Sequence, residues 1–543
     1  MNKQKRTLAL LLIAFIVLTA IPPVYDLQAA DTETTNSWTR LANMPTSRCG
    51  LGLAVVSGKI YAIGGSNDRG ELAINEMYDP VTDKWSTKTS MPTARTGFAT
   101  AVYENKIYAI GGSIGNSFTG NMEVYDTISD TWQTVASMPT PRSDLSANIV
   151  DEEIYLIGGR TYSRDTPNQG QTNVTEVYNV KTNTWSTNTA MPIALHGYAS
   201  TVIDTKIYVI GGSKQSILGI DSSVNTLQIF DTKTDTWING SALNAPVSYG
   251  SAVVTTGIMA PVRIYYIGGY STGTFSDKTL IYDVEKDFWS EGSKMSASRA
   301  YFGLAVVGDV IYAVGGFDGT RWSNVNEELK PQGYGRIPPV VTVLSPENST
   351  YKSLHIEYEV NRAVSWAGFS LDNGANKTLT GITEVTDIPD GQHVIVIFAK
   401  DTFGNIGASQ EVYFTIDNAA PIITILIPLE QTYNTADIVL TFVVNKPVSD
   451  LSYVLDGQLE MSITGNVTLP VLSNGNHSII VHAVDELGNE GSSKEVIFTI
   501  APFPIFEVTT VVTLTIIILS SIYLIIKRVK TKNTTLKTSL TVN

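Results

Sequence analysis

The sequence is poor in the residues that staple small domains or hold metals. It contains one cysteine, Cys49, and five histidines among 543 residues. A single thiol excludes an internal disulfide, a zinc finger and a cysteine-ligated iron–sulfur cluster. We interpret Cys49 as a small, buried, apolar residue of a strand, since no acid–base partner stands near it to make it a nucleophile. We therefore expect neither a metal nor a cofactor.

Positive charge is also scarce in the body of the chain. The formal net charge is −14, and both ends are basic, so the middle is more acidic than the total. Such a surface repels phosphate backbones, and we expect no nucleic-acid partner. Glycine, by contrast, is abundant, with 43 residues, which favours a chain with many turns. The length of the chain predicts several domains.

Long apolar runs occur only near the two ends of the chain. The first, residues 8–20, follows a basic cluster between Lys3 and Arg6 and precedes the small residues Ala29-Ala30. This order of basic, apolar and small residues is typical of a secretory signal. It predicts a signal peptide over residues 1–30, with an uncleaved anchor as the alternative.

The second run, residues 508–526, contains no charged residue. A helix rises 1.5 Å per residue, so this run would be about 28 Å long, close to the thickness of a bilayer core. The basic cluster that begins at Lys527 should remain in the cytoplasm. The run therefore predicts a transmembrane helix over residues 507–527 and a cytoplasmic tail over residues 528–543. The expected localisation is the cell membrane, with the N-terminal domains outside.

Between these ends, a short apolar strand that finishes in two glycines recurs six times. In the clearest unit it is Ile107-Tyr108-Ala109-Ile110. Consecutive apolar residues predict a strand that is buried on both faces, as in a sheet between two other sheets. The glycine pairs are Gly64-Gly65, Gly111-Gly112, Gly158-Gly159, Gly211-Gly212, Gly268-Gly269 and Gly315-Gly316.

Five units continue with an aromatic residue followed by Asp or Asn, then a turn, then a tryptophan. A methionine or leucine follows six residues after each tryptophan. Each unit therefore predicts a four-stranded antiparallel sheet, and such units must stack on one another to bury their apolar faces. The tryptophans are Trp85, Trp132, Trp185, Trp237 and Trp289.

These spacings resemble the kelch repeat over residues 31–337. The resemblance implies a β-propeller, a ring of four-stranded sheets around a central channel. The sixth unit lacks a tryptophan strand, but Trp38 and Met44-Pro45 reproduce the missing half at the start of the chain. We therefore predict an all-β fold in which residues from about 34 to 43 form the outer strand of the last blade and close a six-bladed ring.

A second repeat follows a linker that is rich in glycine and proline. Residues 339–346 are echoed by residues 421–428, and Asp401–Asn405 is echoed by Asp485–Asn489. The copies resemble tandem immunoglobulin-like β-sandwiches of prokaryotic surface proteins, which implies a spacer role. The Asp-x-x-Gly-Asn segments supply too few oxygen ligands for calcium, so we interpret them as hairpin turns. The two predicted domains are residues 338–418 and 419–500.

Four arginines and one histidine stand shortly after the Met-Pro positions. In kelch proteins these positions lie near the mouth of the channel, so the resemblance implies a ligand site there. The arginines either bind an anionic ligand, such as a carboxylate or a sulfated or sialylated glycan, or hydrogen-bond backbone carbonyls between blades. The candidate ligand-binding residues are Arg48, Arg95, Arg142, His196 and Arg299.

Exposed loops offer two further kinds of site. Residues 160–177 and 213–229 are longer than their counterparts in other blades, and they are either binding loops or neutral insertions. Six Asn-x-Ser/Thr sequons are candidates for glycosylation on the predicted outer side. The sequon asparagines are Asn173, Asn239, Asn348, Asn376, Asn466 and Asn476.

These features predict a cell-surface binding or adhesion protein, not an enzyme, with a glycan or a protein as its ligand. An alternative is a sugar enzyme similar to the kelch sialic-acid mutarotases, although no acid–base pair is evident. A copper enzyme similar to galactose oxidase is disfavoured, because its site needs two histidines and a Cys–Tyr crosslink. His196 is the only histidine of the predicted propeller.

Overall fold

The computed structural model of the chain describes residues 36–161, 170–215, 220–501 and 506–537. Nearly all of its regular structure is β-strand, and one helix, Phe506–Lys537, is present among the described residues. The all-β prediction is therefore confirmed. The predicted signal peptide, residues 1–30, lies outside the described residues and stays a prediction.

The described chain divides into two compact units. The first runs to Val341 and also includes Val360–Trp366 and Ala399–Ala408. The second comprises Thr342–Glu359, Ala367–Phe398 and the chain from Ser409 onward. The first unit contains the predicted propeller, and the second contains most of the two C-terminal repeats.

Six four-stranded antiparallel sheets form the blades of the propeller. In blades 1 to 5 the strands follow one another in chain order from the innermost to the outermost. The innermost strands are Gly52–Val56, Ala99–Tyr103, Ser146–Val150, Ala199–Ile203, Ser251–Val254 and Gly303–Val307. The second strands are Lys59–Ile63, Lys106–Ile110, Glu153–Ile157, Lys206–Ile210, Ile264–Ile267 and Val310–Val314. The third strands are Asn75–Asp79, Met122–Asp126, Thr175–Asn179, Leu227–Asp231, Thr279–Asp283 and Asn326–Leu329. The outermost strands are Lys84–Lys88, Thr131–Val135, Thr184–Asn188, Thr236–Asn239, Phe288–Glu291 and, for blade 6, Trp38–Arg40.

Short hairpins lie between the second and third strands of several blades. They follow the Gly-Gly pairs and stand at the end of the propeller where the innermost strands begin. Their strands are Ser66–Asn67 and Gly70–Glu71, Ser113–Ile114 and Ser117–Phe118, Ser213–Gln215 and Asp221–Ser223, and Tyr270–Ser271 and Thr274–Phe275 with Val247–Ser248 alongside.

The Gly-Gly strands are buried on both faces, as their sequence predicts. In blade 2, Ile107 and Ala109 pack in a core shared with blade 1, while Tyr108 and Ile110 pack in a core shared with blade 3. All four side chains are at most 5% exposed. Each second strand thus lies between two interblade cores, which explains its unbroken apolar sequence.

The ring is closed by the first described strand, Trp38–Arg40. It pairs antiparallel with the third strand of blade 6, with Trp38 opposite Leu329. The Trp38 indole also donates a hydrogen bond of 3.0 Å to the carbonyl oxygen of Ser293, which follows the outermost strand of blade 5. The closing strand therefore lies inside the range that the orphaned Trp38 motif predicts.

The Tyr, Asp and Trp residues of the repeats belong to the scaffold. In blade 2, Tyr125 packs on Trp132 with ring centroids 5.0 Å apart, and its hydroxyl donates to Asp130. Asp130 has a left-handed backbone (φ 54°) and also accepts the backbone N–H of Thr89. The Trp132 indole donates to the carbonyl oxygen of the same threonine. Since Thr89 follows the outer strand of blade 1, each such turn joins its blade to the preceding one.

Each C-terminal repeat forms a three-stranded and a six-stranded sheet, with the same strand order in both copies. The immunoglobulin-like assignment itself stays a prediction. The strands of the first copy are Val341–Ser345, Thr350–Tyr351, Leu354–Val360, Val364–Leu371, Lys377–Thr378, Thr383–Val385, Gly391–Asp401, Ile406–Ala408 and Val412–Ile416. Those of the second copy are Ile423–Ile427, Thr432–Tyr433, Val439–Val444, Asp450–Leu455, Met461–Ser462, Val467–Thr468, Gly475–Val484, Glu490–Ser492 and Val496–Ile500.

The Asp-x-x-Gly-Asn segments of the two copies are turns held by their own aspartates. Asp485 Oδ1 accepts the backbone N–H groups of Leu487 and Asn489, and Oδ2 accepts a hydrogen bond from the Asn489 side chain. Asp401 makes the same set of bonds with Phe403 and Asn405. The acidic residue of the motif therefore has a structural task in each copy.

The prediction of a membrane-spanning segment over residues 507–527 is wrong. The helix Phe506–Lys537 contains this run, but among the described residues no helix is long and apolar enough to cross a membrane. The helix does not end with the apolar run, since it continues through the basic residues Lys527 and Arg528. The cell-membrane localisation and the cytoplasmic tail over 528–543, which depended on this segment, are withdrawn with it.

Candidate binding site at the channel mouth

The innermost strands of the six blades line a central channel of about 250 Å³. At the end where these strands begin, each blade contributes one residue with a positive φ, between 52° and 64°. The N–H group of each donates to the carbonyl oxygen of its counterpart in the neighbouring blade, at 2.6 to 2.9 Å. These hydrogen bonds form a closed ring around the channel mouth. The ring residues are Gly50, Gly97, Asp144, Gly197, Tyr249 and Tyr301.

Three of the six ring positions carry side chains, although glycine serves at the other three. Aspartate tolerates the left-handed conformation of Asp144 (φ 52°). Tyrosine does not favour it, yet Tyr249 and Tyr301 have φ values of 54° and 57°. A bulky residue in this region costs on the order of 1–3 kcal/mol of backbone strain. Closure of the ring therefore does not explain the presence of the two tyrosines.

The side chains of the ring lie together over the mouth. The rings of Tyr249 and Tyr301 are 4.5 Å apart, and Tyr301 is 37% exposed. A Cβ atom on Gly197 would lie 2.4 Å from the Tyr249 ring, and one on Gly97 would lie 3.0 Å from Asp144 Oδ1. Glycine at these two positions leaves room for the neighbouring tyrosine and aspartate.

The mouth places a carboxylate beside two neutral phenols. Burial raises the pKa of Asp144 to about 6, against the opposing effects of Arg160 and Ser143, and the nearby Asp221 adds to the rise. Burial, together with the charge of Asp144, also raises the pKa of Tyr249 and of Tyr301. At neutral pH the phenols are protonated, and Asp144 is mostly ionised.

His196, one of the predicted ligand-binding residues, lies beneath this mouth. Its side chain is fully buried, and its ring is 6.0 Å from that of Tyr249. Nδ1 lies 3.1 Å from the carbonyl oxygen of Ser213, which assigns the proton to Nδ1, and Nε2 lies 3.4 Å from Asp221 Oδ2. Burial, and then the charge of Arg160, lower the pKa of His196 to about 4, so the imidazole is neutral. His196 therefore supports Tyr249 from below.

Arg160 and Asp221 form the edge of the mouth on blades 3 and 4. Arg160 Nη2 donates to Asp221 Oδ2 at 2.8 Å, and both side chains are about one-third exposed (34% and 30%). Arg160 begins the long segment of blade 3, of which residues 162–169 lie outside the described range. Asp221 belongs to the long hairpin of blade 4. The long segments of blades 3 and 4, which the sequence analysis identified as candidate binding loops, thus meet in one partly exposed ion pair.

Exposed aromatic residues continue the mouth across blades 5 and 6. Tyr270 and Trp322 are both 36% exposed. Phe275 and Phe317 connect them, with successive ring centroids 5.7, 5.9 and 5.6 Å apart. The face around the channel is therefore charged on the side of blades 3 and 4 and aromatic on the side of blades 5 and 6.

The four predicted ligand-binding arginines lie inside the blades. Their side chains are at most 2% exposed, and each pairs with a buried glutamate of the third strand. A terminal nitrogen of each also donates to a carbonyl oxygen of the second strand. The ion pairs are Arg48–Glu76 at 2.9 Å, Arg95–Glu123 at 2.6 Å, Arg142–Glu176 at 2.7 Å and Arg299–Glu327 at 2.6 Å.

This placement favours the structural alternative for the four arginines. Burial lowers the pKa of each guanidinium group, and the paired glutamate opposes that effect; for Arg299 the pKa falls to about 10. The groups stay charged, and their charge is already neutralised inside the protein. A ligand on the surface cannot reach them, so we assign them to the scaffold.

The glutamate partners were not identified from the sequence, although a signal for them exists. Arg95 and Arg299 each precede their glutamate by 28 residues. Blades 4 and 5 have Leu195 and Val247 in place of arginine, and they also have Gln228 and Leu280 in place of glutamate. The paired change reveals the contact without any structure.

Two other predicted features remain at the surface. Cys49 is half-buried near the mouth, where its Sγ lies 3.9 Å from Ser66 Oγ and burial raises the pKa of its thiol. The thiol thus stays protonated, but Cys49 is only half-buried and lies in an isolated bridge with Ser66, not in a strand as the sequence predicted. All six sequon asparagines are exposed, and their glycosylation stays a prediction.

Comparison with known proteins agrees with this architecture. The family model "Attractin/LZTR1 beta-propeller" matches residues 60–326. The chain is 30% identical over 152 residues to kelch-like protein terF of Aspergillus terreus, covering 27% of this chain and 32% of that protein. It is 28% identical over 160 residues to kelch-like protein 36 of Bos taurus (29% and 24%) and 26% identical over 155 residues to kelch-like protein 23 of Homo sapiens (28% and 26%). The matched region spans a third or less of each relative. The propeller is therefore of the kelch type, a fold typical of protein binding.

Proposed function

From the kelch-type propeller and its mouth, we propose that this chain is a binding protein whose ligand is a protein segment with a basic side chain. The segment docks on the channel-mouth face and places the basic group between Asp144, Tyr249 and Tyr301. The single observation that carries this proposal is the strained backbone of the two tyrosines. A strained backbone persists only where the surrounding structure holds it in place, and such residues cluster at binding and catalytic sites.

The chemistry of the mouth selects the ligand class. Asp144 supplies a carboxylate, and the exposed Tyr301 ring supplies a π-face, and a lysine or arginine side chain is attracted to both. The net charge of −14 attracts a basic partner over a longer range. The buried arginines no longer support an anionic glycan as the ligand.

Flanking aromatic residues supply the rest of the contact. Tyr270 and Trp322 present partly exposed rings beside the mouth, and large aromatic side chains dominate the energetics of protein interfaces. We propose that they cover the residues next to the basic side chain. We also propose that the tandem repeats over 338–418 and 419–500 are immunoglobulin-like spacer modules, supported by their equal strand order.

The test is binding of the full-length chain to a random peptide array at pH 7.4, scored for enrichment of lysine and arginine. We expect basic peptides to be enriched and Asp144→Asn to weaken the best of them by at least tenfold. Asp151→Asn is a matched control, since Asp151 has nearly the same backbone (φ 53°) at the opposite end of the same inner strand.

The affinity should also fall as the pH drops below about 6, because protonation of Asp144 removes the charge that attracts the cation. A glycan array run in parallel checks the other ligand class. The proposal fails if no basic peptide is enriched, if Asp144→Asn binds like the parent, or if only glycans bind.

A further inference from the structure

Blade 5 lacks the polar network that fills the same place in most other blades. In blade 2, Thr93 donates to Glu123 Oε1 at 2.6 Å, while Arg95 pairs with Glu123 Oε2. Thr46 and Thr140 make the same bond to their glutamates in blades 1 and 3. In blades 1, 2 and 3 the network therefore consists of a threonine, a glutamate and an arginine, which approach from two separate segments of each blade; blade 6 has the arginine and the glutamate with Ala297 at the threonine position.

All three positions are apolar in blade 5, and two of them have smaller side chains than in the other blades. Ala245 replaces the threonine, Val247 replaces the arginine, and Leu280 replaces the glutamate. A guanidinium group and a carboxylate are therefore missing from one space. A cavity of about 300 Å³ occupies this place, and Ala245, Val247 and Leu280 all line it.

Blade 4 has also lost the network, but it has larger side chains at two of the three positions. There, the three positions are Ile193, Leu195 and Gln228. Leu195 is fully buried, and the Gln228 side chain accepts the backbone N–H of Ile193 at 3.0 Å. Larger side chains thus occupy the space in blade 4, whereas the short side chains of blade 5 do not.

The walls of the blade 5 cavity are mostly apolar and aromatic. Leu243 and Val247 line it, and Tyr266, Phe275 and Trp289 contribute three aromatic rings. Cavities of about 150 Å³ with apolar walls already bind benzene, and ligand pockets in proteins begin at about 300 Å³. The size therefore suits a compact ring system.

The charges at the edge of the cavity are already paired. Lys278 Nζ lies 2.8 Å from Glu291 Oε1, and Lys294 Nζ lies 3.6 Å from Asp277 Oδ1. An uncharged ligand leaves both pairs intact, whereas a charged one would be desolvated against apolar walls without a partner. The electrostatics thus select a neutral occupant.

We propose that the blade 5 cavity is a binding site for an uncharged aromatic small molecule of about the size of indole. The site exists because blade 5 has lost its arginine–glutamate pair without gaining bulk in return. The cavity shares Phe275 with the aromatic side of the channel-mouth face, but it is lined by none of the residues proposed above to contact the peptide, which are Asp144, Tyr249, Tyr301, Tyr270 and Trp322.

The test is calorimetric titration of the full-length chain with indole, repeated on the double variant Val247→Arg/Leu280→Glu. The double variant restores the pair that other blades contain and fills the cavity with it. We expect indole to bind the parent chain and to bind the double variant at least tenfold more weakly. Absence of binding to the parent chain overturns the proposal.

A matched control restores the same pair in blade 4, where larger side chains occupy two of the three positions. Leu195→Arg/Gln228→Glu changes blade 4 in the same way and should leave the affinity for indole unchanged. If the blade 5 double variant does not fold, Val247→Met is used instead. It fills the cavity without adding charge and should also weaken indole binding at least tenfold. Equal affinity in the parent chain and a folded blade 5 variant would contradict the assignment.

Discussion

Blades 1, 2, 3 and 6 each bury an arginine with a glutamate, whereas blades 4 and 5 have neither residue. The six blades share one backbone and one ring, so they form an internal comparison within a single chain. The pair is either complete, as in Arg95–Glu123, or replaced at both positions, as in Leu195–Gln228 and Val247–Leu280. A blade with one half of the pair does not occur. An unpaired buried charge costs far more than a paired one or an apolar replacement, and this explains the pattern.

The largest effect is expected when one half of a buried pair is removed. Arg95→Leu leaves Glu123 buried beside an apolar side chain, and breaking such a pair costs about 3–5 kcal/mol of folding stability. The free energy of unfolding in urea measures this loss. The double variant Arg95→Leu/Glu123→Gln reproduces the residues of blade 4 and should recover most of it. A double variant as unstable as the single one would show that the pair does not act as a unit.

The reverse change in blade 5 should have the next largest effect. Val247→Arg places a guanidinium group in an apolar cavity without its glutamate, and we expect a loss of roughly 2–3 kcal/mol. Adding Leu280→Glu should restore stability to near that of the parent chain. Thermal unfolding of the three proteins decides the matter, and an equal melting temperature for Val247→Arg and the parent chain would refute the expectation.

Asp144 extends the comparison from paired to unpaired carboxylates. Its pKa in the folded protein is about 6, above the ordinary value of about 3.9, so between these values the folded chain binds more protons than the unfolded chain. Stability therefore falls as pH rises through this window and is constant above it. Asp144→Asn removes the effect while keeping a residue that tolerates positive φ. We expect this variant to be more stable than the parent chain by about 1–2 kcal/mol at pH 7, after allowance for partial exposure.

At pH 4 the advantage of Asp144→Asn should nearly vanish, since Asp144 is then protonated in the folded parent chain. Urea unfolding at the two pH values measures the difference. An equal advantage at both values would show that the charge of Asp144 is not its source.

The smallest effect is expected for an exposed ion pair of blade 5. Lys278 and Glu291 are 51% and 59% exposed at a separation of 2.8 Å. Water screens such pairs, so Lys278→Ala should change the free energy of unfolding by no more than about 0.5 kcal/mol. If Lys278→Ala lost as much stability as Arg95→Leu, burial could not explain why the arginine–glutamate pairs matter more than exposed ion pairs.

The spacing of repeated residues was enough to predict the propeller. The Gly-Gly strands, the Tyr-Asp turns and the closing strand at Trp38 all depend on contacts that recur at a regular period, and periodic contacts leave a visible pattern. The apolar run near the end of the chain was misinterpreted, because an uncharged stretch of sufficient length does not by itself establish a membrane span.

The candidate site was harder to predict from the sequence. The arginines were identified by their position after the Met-Pro pairs. That position does not show whether a side chain points into a blade or toward the channel. The ring residues Tyr249 and Tyr301 carry no turn signal, because tyrosine is not a residue that favours positive φ. Their alignment with Gly50 and Gly97 was the available clue, and it needs the blades to be superimposed first.

The closing strand has a consequence for how the protein is made in a cell. Trp38–Arg40 is synthesised long before its partner strand in blade 6, which ends at Leu329. Roughly 290 residues separate the two, and a ribosome that adds 5–20 residues per second needs about 15–60 seconds to make them. During that time the five complete blades can form on the growing chain, while the strand around Trp38 has no partner. The yield of native protein should therefore depend on how well the cell shields this first strand until the last blade emerges.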